Sequence, residues 1–318
     1  DNTLKGEWMM SMMRFVRWSL TLAVCVAVAG CGKKKVSDDA SRRPSVAPGE
    51  KRITVCMLPK KKGLPYFSSC AAGAEKAAKE LGNVDLIYDG PTDGSPEKSA
   101  AMIETWVLKN VDVIAVSPND PEVLAPAMKK AQEKGIKVIT WDADGLPGTR
   151  GFFVNQATAQ DIGYALVDTM AKDLGGDDPE GEVAILTATL TAANQNAWMG
   201  HMRERLKKYP KMKLVAVKPS EEDQKLAFQV SQDLMKAYPG LKGIFGISSV
   251  SFPGAAEAVK QAGKSGKILV TGLSTPNNMR EYVKDGTVKS VVLWDTGALG
   301  ALTVRVAESW ANGRLSPG

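Results

Sequence analysis

The chain has 318 residues, of which 44% are hydrophobic and 24% are charged, and its formal net charge is +6. This length and composition predict a globular protein of about two domains, each large enough for a hydrophobic core. The excess positive charge is concentrated near the start: residues 1–31 carry +1, residues 32–52 carry +4, and the remaining residues carry only +1. A nearly neutral body offers no broad positive field, which argues against nucleic acid as a partner.

The first 31 residues have the pattern of an export signal. Arg14 and Arg17 precede an apolar run at residues 20–29, which is shorter than the about 20 residues that span a bilayer. Ala29 and Gly30 then precede Cys31, and this ending resembles a bacterial lipobox, which implies cleavage before Cys31 and lipidation of that cysteine. The alternative is an export signal in which the cysteine is incidental. Residues 32–51 are rich in charge and contain two prolines, which predicts a disordered tether on a membrane-anchored protein of the periplasm or cell envelope.

From residue 52 onward, short apolar runs alternate with helical patterns. In the first half, the predicted strands are 53–58, 84–88, 113–117, 136–141 and 152–155, and the predicted helices are 66–81, 95–109 and 121–134. In the second half, the predicted helices are 159–174, 194–208, 222–238, 253–262, 278–285 and 297–311, and the predicted strands are 182–187, 213–217, 243–246, 267–271 and 289–294.

Regular alternation of strands and helices predicts an α/β fold with parallel sheets covered by helices on both faces. Open sheets rarely exceed about ten strands. We therefore expect two doubly wound parallel-sheet lobes joined by a hinge, with the break near Asn155.

Polar side chains cluster where the predicted strands end. The first lobe presents Lys60, Ser117, Asn119, Asp120 and Asp142, and the second presents residues 189–196, Ser248, Ser249, Ser274 and Thr275. Ligands of doubly wound domains bind outside the carboxyl ends of the strands. Two such edges that face each other predict a cleft for a neutral, hydroxyl-rich ligand.

Residues for catalysis or metal binding are sparse. His201 is the only histidine and lies in a predicted helix beside Arg203 and Arg205, which disfavours histidine-based catalysis and most zinc sites. Gly263-Lys264-Ser265 imitates the end of a phosphate-binding loop, but Ala258 stands where the first glycine belongs. We therefore predict a protein that is not an enzyme and has no cofactor and no metal site.

Two cysteines, Cys56 and Cys70, fall in the first predicted strand and the first predicted helix. Export would permit a disulfide between them. The favoured interpretation is two buried, unpaired side chains.

Six short segments occur together in a fixed order: Pro59-Lys60, 63–67, 88–92, Thr140-Trp141-Asp142, 194–198 and 293–295. Through them, residues 53–318 resemble the type I periplasmic sugar-binding proteins of ABC importers, and within that family the rhamnose-binding and autoinducer-2-binding branch. The resemblance implies an N-terminal lobe of residues 52–155 plus 295–318 and a C-terminal lobe of residues 156–294. A third crossing and a terminal strand normally follow in this family, so we expect the sequence to lack that piece.

The resemblance also implies which residues contact the ligand. Autoinducer-2 binders use a Lys, an Asp, an Asp-Gln pair, a Pro and an Ala, which match Lys60, Asp142, Asn194-Gln195, Pro253 and Ala255. Asn194 departs from the expected Asp, so the sequence combines features of both ligand classes.

Three further residues complete the predicted ligand site. Tyr66 and Phe67 open a predicted helix and can lay apolar ring faces on a ligand, although core packing is an equal alternative for one of them. Asp295 follows Trp294 in the segment that is expected to lead the chain from the C-terminal lobe back to the N-terminal lobe.

Together these features predict a monomeric lipoprotein receptor that delivers a small neutral ligand, rhamnose-like or autoinducer-2-like, to an ABC permease and its ATPase. The main alternative is a receptor that signals occupancy to a membrane sensor without transport. A sugar-responsive repressor core is disfavoured by the lipobox, and a sugar-processing enzyme by the lack of a catalytic constellation.

Overall fold

The computed structural model describes residues 51–176 and 178–317. The predicted signal peptide, Cys31 and nearly all of the predicted tether lie outside the described residues. The described chain contains two parallel sheets, which confirms the predicted α/β fold with two parallel sheets. Among the described residues, we find no helix that combines the length and the apolar character needed to cross a bilayer.

The first sheet has five strands in the order β2-β1-β3-β4-β5. The strands are β1 (Ile53–Leu58), β2 (Val84–Tyr88), β3 (Val113–Val116), β4 (Lys137–Trp141) and β5 (Phe152–Val154), and the helices between them are α1 (Pro65–Leu81), α2 (Pro96–Leu108) and α3 (Pro121–Glu133). All four residues of β3 are buried, as expected for a central parallel strand that is covered on both faces.

The second sheet has four strands in the order β7-β6-β8-β9. Its elements are α4 (Ala159–Asp173), β6 (Gly181–Thr187), α5 (Ala193–Leu206), β7 (Met212–Pro219), α6 (Gln224–Ala237), β8 (Leu241–Gly246), α7 (Ser251–Gln261), β9 (Leu269–Gly272) and α8 (Pro276–Lys284). A last helix, α9 (Thr296–Ala311), follows.

Many helices begin at signals that are visible in the sequence. Proline occupies the first turn of α1, α2, α3 and α8, where its missing N–H costs nothing. Side-chain oxygens of Ser95, Asp120, Thr158, Asp223 and Asp295 accept hydrogen bonds from free backbone N–H groups at helix starts. These caps explain why most predicted helix boundaries lie within two residues of the observed ones.

After the second lobe, the chain returns to the first lobe as helix α9. This helix packs against α1 so closely that the two backbones are in contact. A Cβ atom on Gly300 would lie 1.9 Å from the carbonyl oxygen of Cys70, and one on Gly73 would lie 2.0 Å from that of Gly297. Only glycine permits this approach. Leu299, Val304 and Ala307 of α9 belong to the hydrophobic core on that face of the first sheet.

One predicted strand is wrong. Residues 289–294 form no strand and contribute a single bridge, between Leu273 and Val292. The chain must leave the second sheet here to reach α9 in the first lobe. The prediction of unpaired cysteines is confirmed, because Cys56 and Cys70 are both buried and free.

Candidate functional site

A cavity lies where the carboxyl ends of the two sheets face each other, and its free space, counted together with the open solvent at its mouth, is about 410 Å³. Its walls come from both lobes and from the second crossing: Lys60, Tyr66, Phe67, Asp142, Asn194, Gln195, Trp198, Glu222, Ile247, Ser248, Ser249, Leu273, Leu293 and Trp294. Six of the nine residues predicted to bind ligand are in this wall. The cavity has both of the features expected of a small-molecule site, apolar faces and a few convergent polar groups.

Asp142 is the most constrained side chain in the cavity. It follows β4 with φ of 63°, a left-handed conformation that Asp tolerates better than most residues. Its Oδ1 accepts a hydrogen bond of 2.7 Å from the Tyr66 hydroxyl, and its Oδ2 accepts one of 2.9 Å from Ser117. The Nζ of Lys60 lies 3.7 Å from Oδ2. These donors fix the orientation of the carboxylate before any ligand arrives.

Tyr66 serves as a permanent donor to this carboxylate. Burial, together with the nearby charge of Asp142, raises the pKa of Tyr66 well above its ordinary value. The phenol therefore keeps its proton at physiological pH. Its oxygen also accepts a hydrogen bond of 3.1 Å from the indole of Trp294. This bond connects the segment before α9 to the residues that hold Asp142.

Lys60 connects the two lobes. It is only 6% exposed, so it is not part of a solvated lysine run. Its Nζ donates to Oδ1 of Asn194 over 2.9 Å. Because Lys60 follows β1 and Asn194 lies in the first turn of α5, this bond closes the cleft from one lobe to the other.

Gln195 presents one end of its amide to the cavity. Its Oε1 accepts hydrogen bonds from the Thr187 hydroxyl, at 2.5 Å, and from the backbone N–H of Ala188, at 2.7 Å. These bonds fix the orientation of the amide and leave its NH₂ group as the donor for a ligand oxygen.

Four aromatic rings line the cavity in edge-to-face pairs. The ring centroids of Tyr66 and Trp294 are 5.9 Å apart, as are those of Trp198 and Trp294, and those of Tyr66 and Phe67 are 5.0 Å apart. Phe67 also packs on the core residue Trp141 at 5.7 Å. Tyr66 and Phe67 thus contact both the cavity and the core, and so does Trp198.

The structure does not bring the other three predicted residues to the cavity wall. Pro253 and Ala255 are buried in α7, where Ala255 belongs to a core cluster of the second lobe. Asp295 caps α9, with its Oδ1 accepting from the N–H of Ala298 at 2.8 Å. The Asp295 carboxylate therefore caps this helix and does not line the cavity.

Sequence reasoning missed several wall residues from the second lobe and the crossing. Ser248 and Ser249 were noted as polar strand ends but were not assigned to the site, and Trp294 was noted only as part of a motif. Glu222 gave no signal, because it was placed inside a predicted helix. The observed helix α6 begins two residues later, at Gln224.

Comparison with known proteins explains this architecture. A family model described as "Periplasmic binding protein domain" matches residues 55–315. The chain belongs to this family.

Of the residues that the structure describes, no group of three or more His, Cys, Asp or Glu side chains is placed to hold a metal ion.

Relatives that bind small ligands match most of this chain in sequence or in structure. The chain is 27% identical to the D-allose-binding periplasmic protein of Escherichia coli (strain K12) over 260 residues, which are 80% of this chain and 83% of that protein. A solute-binding protein of an ABC transporter from Clostridium phytofermentas, solved with bound L-rhamnose, superposes with a TM-score of 0.80 at 28% identity, covering 85% of this chain and 84% of that one. LsrB of Clostridium saccharobutylicum in complex with AI-2 gives 0.78 at 28% identity, covering 82% of each chain.

The matched family and these relatives are binding proteins, among them a periplasmic D-allose-binding protein and a solute-binding protein of an ABC transporter. The chain is accordingly a binding protein of that class and not an enzyme.

Proposed function

We propose that the protein is a lipid-anchored receptor that binds a small, uncharged, polyhydroxylated ligand of the rhamnose or autoinducer-2 type and delivers it to an ABC importer. The observation that carries the proposal is the buried polar bridge Asp142–Lys60–Asn194, which spans both lobes at the wall of one cavity. Relatives with the same fold bind L-rhamnose, AI-2 and D-allose.

The polar groups of the cavity suit hydroxyls. Lys60 and the NH₂ group of Gln195 can donate to ligand oxygens, while Asp142 and the side chains of Ser248 and Ser249 can accept from hydroxyl protons. Charge-assisted hydrogen bonds from Lys60 and Asp142 are the strongest of these. The opposite charges of this pair balance, which favours an uncharged ligand at this part of the cavity.

The aromatic groups suit the other surface of a sugar. A sugar ring has apolar patches of C–H groups that pack on flat aromatic faces. Tyr66, Trp198 and Trp294 supply such surface beside the polar groups. A cavity with both kinds of wall distinguishes the faces of one ring, and this is the basis of stereochemical selectivity.

Ligand capture would proceed by closing the lobes. Besides the Lys60–Asn194 bond, Lys61 Nζ donates to the carbonyl oxygen of Glu222 over 2.9 Å across the cleft. Within the described residues, the chain passes between the two sheets at residues 155–158 and again at residues 293–295. A ligand that contacts both walls stabilises the closed state by its differential affinity for it. The permease would then recognise the closed surface, with Cys31 holding the receptor, as a monomer, at the membrane.

A ligand screen tests the proposal. The purified protein is mixed with L-rhamnose, D-allose, D-ribose, D-arabinose and autoinducer-2, and thermal unfolding and titration calorimetry are measured. A ligand at 100 times its Kd stabilises the folded state by about 2.7 kcal/mol, so we expect a clear rise in Tm with at least one compound. The Asp142→Asn protein is the control, and its response to the same compounds should be strongly reduced.

Two results would overturn the proposal. One is the absence of any Tm shift or binding heat across the panel in the wild-type protein. The other is recovery of the bound compound in a chemically altered form.

A further inference from the structure

Glu222 occupies an unusual loop between β7 and α6. Glu221 and Glu222 have φ values of 49° and 50°, so two successive non-glycine residues adopt the left-handed conformation. This conformation is unfavourable for L-residues and persists only where the surrounding structure holds it. The capping of α6 does not account for it, because the next residue, Asp223, caps that helix through Leu226 N–H at 2.8 Å.

The loop gives the two glutamates different surroundings. Glu221 is exposed, whereas Glu222 is half-buried and lines the cavity. The carbonyl oxygen of Glu222 accepts from Lys61, which anchors this end of the loop to the first lobe. The two side chains therefore differ in exposure, and of the two only Glu222 lines this cavity, whereas both line a neighbouring pocket with Lys60 and Lys61.

The carboxylate of Glu222 is incompletely satisfied. Its Oε2 atom is shielded from solvent and has no hydrogen-bond partner among the described residues. A buried polar atom without a partner is costly, and such atoms are uncommon in folded proteins. Lys60 is a nearby cation, but its Nζ already donates to Asn194 and lies beside Asp142.

We infer that Glu222 is a ligand contact that accepts a hydrogen bond from a ligand hydroxyl and selects ligands that carry a hydroxyl at that position. This inference rests on the proposed function. Lys60 lines the same cavity, and the N–H that it does not direct at Asn194 or Asp142 remains as a donor for a ligand oxygen. The alternative role for Glu222 is purely structural, as a counter-charge that stabilises Lys60 in the closed lobes.

Matched variants of the two neighbouring glutamates test the inference. Glu222→Ala and Glu222→Gln remove the contact or its charge, and Glu221→Ala and Glu221→Gln repeat each change at a residue with the same backbone conformation outside the cavity wall. Affinity for the tightest ligand among L-rhamnose, D-allose, D-ribose, D-arabinose and autoinducer-2 is measured by calorimetry. A hydrogen bond to a charged group corresponds to about 10- to 100-fold in affinity, so we expect that loss for Glu222→Ala, a smaller loss for Glu222→Gln and none for the Glu221 variants.

Monodeoxy analogues of the same ligand identify the hydroxyl. The analogue that lacks the contacted hydroxyl should bind the wild-type protein weakly and the Glu222→Ala protein no more weakly than the parent ligand does. The inference is wrong if Glu222→Ala binds like wild type, or if Glu221→Ala loses as much affinity.

The ligand-free protein provides an independent measurement. If the role of Glu222 is to contact a ligand, Glu222→Gln should leave the Tm of the ligand-free protein unchanged or raise it, because a carboxylate with an unpartnered oxygen is replaced by a neutral amide. If Glu222 is instead a structural counter-charge, Tm should fall, and this outcome would overturn the inference. This measurement does not depend on the ligand panel, so it separates the role of Glu222 from a failure of the proposed sugar-binding function.

Discussion

The hydroxyl of Tyr66, at the start of α1, donates to Oδ1 of Asp142, at the end of β4, over 2.7 Å. The two residues are 76 positions apart in the sequence, yet each fixes the other: the phenol orients the carboxylate, and the carboxylate holds the aromatic ring at the cavity wall. The main acceptor for a ligand is therefore held in place by the same residue that supplies an apolar surface to the ligand.

We predict that Asp142→Ala abolishes measurable ligand binding while the protein stays folded. The substitution removes a charge-assisted acceptor and leaves the donors Tyr66, Ser117 and Lys60 without their partner. From the usual cost of such unpaired donors, the free energy of unfolding should fall by about 1–3 kcal/mol. Calorimetry and circular dichroism measure the two effects.

Asp142→Asn is the milder companion variant. Asn tolerates the left-handed backbone at this position and keeps one acceptor oxygen, so stability should fall less than in Asp142→Ala while binding is still strongly weakened. Unchanged affinity in both variants would remove Asp142 from the site.

We predict that Asn194→Asp shifts ligand preference toward autoinducer-2. At present Asn194 accepts from Lys60 through Oδ1, and its NH₂ group lies 3.5 Å from the carbonyl oxygen of Asp142. A carboxylate would strengthen the bond to Lys60, lose the donor and add a negative charge beside Asp142. The ratio of affinities for L-rhamnose and autoinducer-2, measured for both proteins, should change by about tenfold or more. The same ranking and ratio in both proteins would count against a selective role for residue 194.

Most of the fold and part of the site could be predicted from the sequence. The parallel sheets followed from strand–helix alternation, and Asp142 and Lys60 from their position after apolar runs, because strand ends meet at one edge of a sheet. Pro253 and Ala255 were assigned by resemblance alone, and that reasoning could not show that α7 buries them in the core. Glu222 was missed because left-handed φ angles at two glutamates leave no trace in residue type.

We predict that any side chain at Gly300 destabilises the protein, because α9 packs directly against the backbone of α1 there. In Gly300→Ala the new methyl group would meet the carbonyl oxygen of Cys70, which cannot move without displacing α1. Overpacking of this kind typically costs about 1–3 kcal/mol, and Tm should fall accordingly. Gly200 in α5 is the matched control because a Cβ there meets nothing within 4 Å. Gly200→Ala should stabilise the protein by about 0.5–1 kcal/mol. Equal behaviour of the two variants would contradict close backbone packing between α1 and α9.

The pH dependence of stability should report the state of Glu222. Burial raises the pKa of Glu222 above its ordinary value, with Asp142 acting in the same direction and Lys60 and Lys61 opposing it. Between the unfolded and folded pKa values, the folded protein holds a proton that the unfolded chain lacks. Lowering the pH through the folded pKa toward the unfolded one therefore stabilises the wild-type protein relative to Glu222→Gln.

Urea unfolding of both proteins between pH 8 and pH 5 measures this difference. The advantage of Glu222→Gln should be largest at high pH and should shrink as the pH falls, with Glu221→Gln as the control for losing a charge from the same loop. A constant difference across this range would show that residue 222 does not exchange a proton on folding.

We predict that Cys31→Ser releases the protein from membranes. In the proposed lipoprotein the Cys31 thiol is the attachment point for lipid, and serine has no thiol to carry it. Fractionation of cells that express each form, with detection of the protein in the pellet and the supernatant, measures the effect. Cys25→Ser, which changes a cysteine inside the same leader, should leave the protein in the pellet. A Cys31→Ser protein that still pellets with membranes would rule out lipidation at this residue.

The position of α9 has a consequence for biosynthesis. Together with α1, this helix covers one face of the first sheet, but it is made after the entire C-terminal lobe. Roughly 140 residues separate the end of β5 from the start of α9, so the packing of that face stays incomplete until they have been made. The first sheet therefore completes its native packing only after the C-terminal lobe has been synthesised.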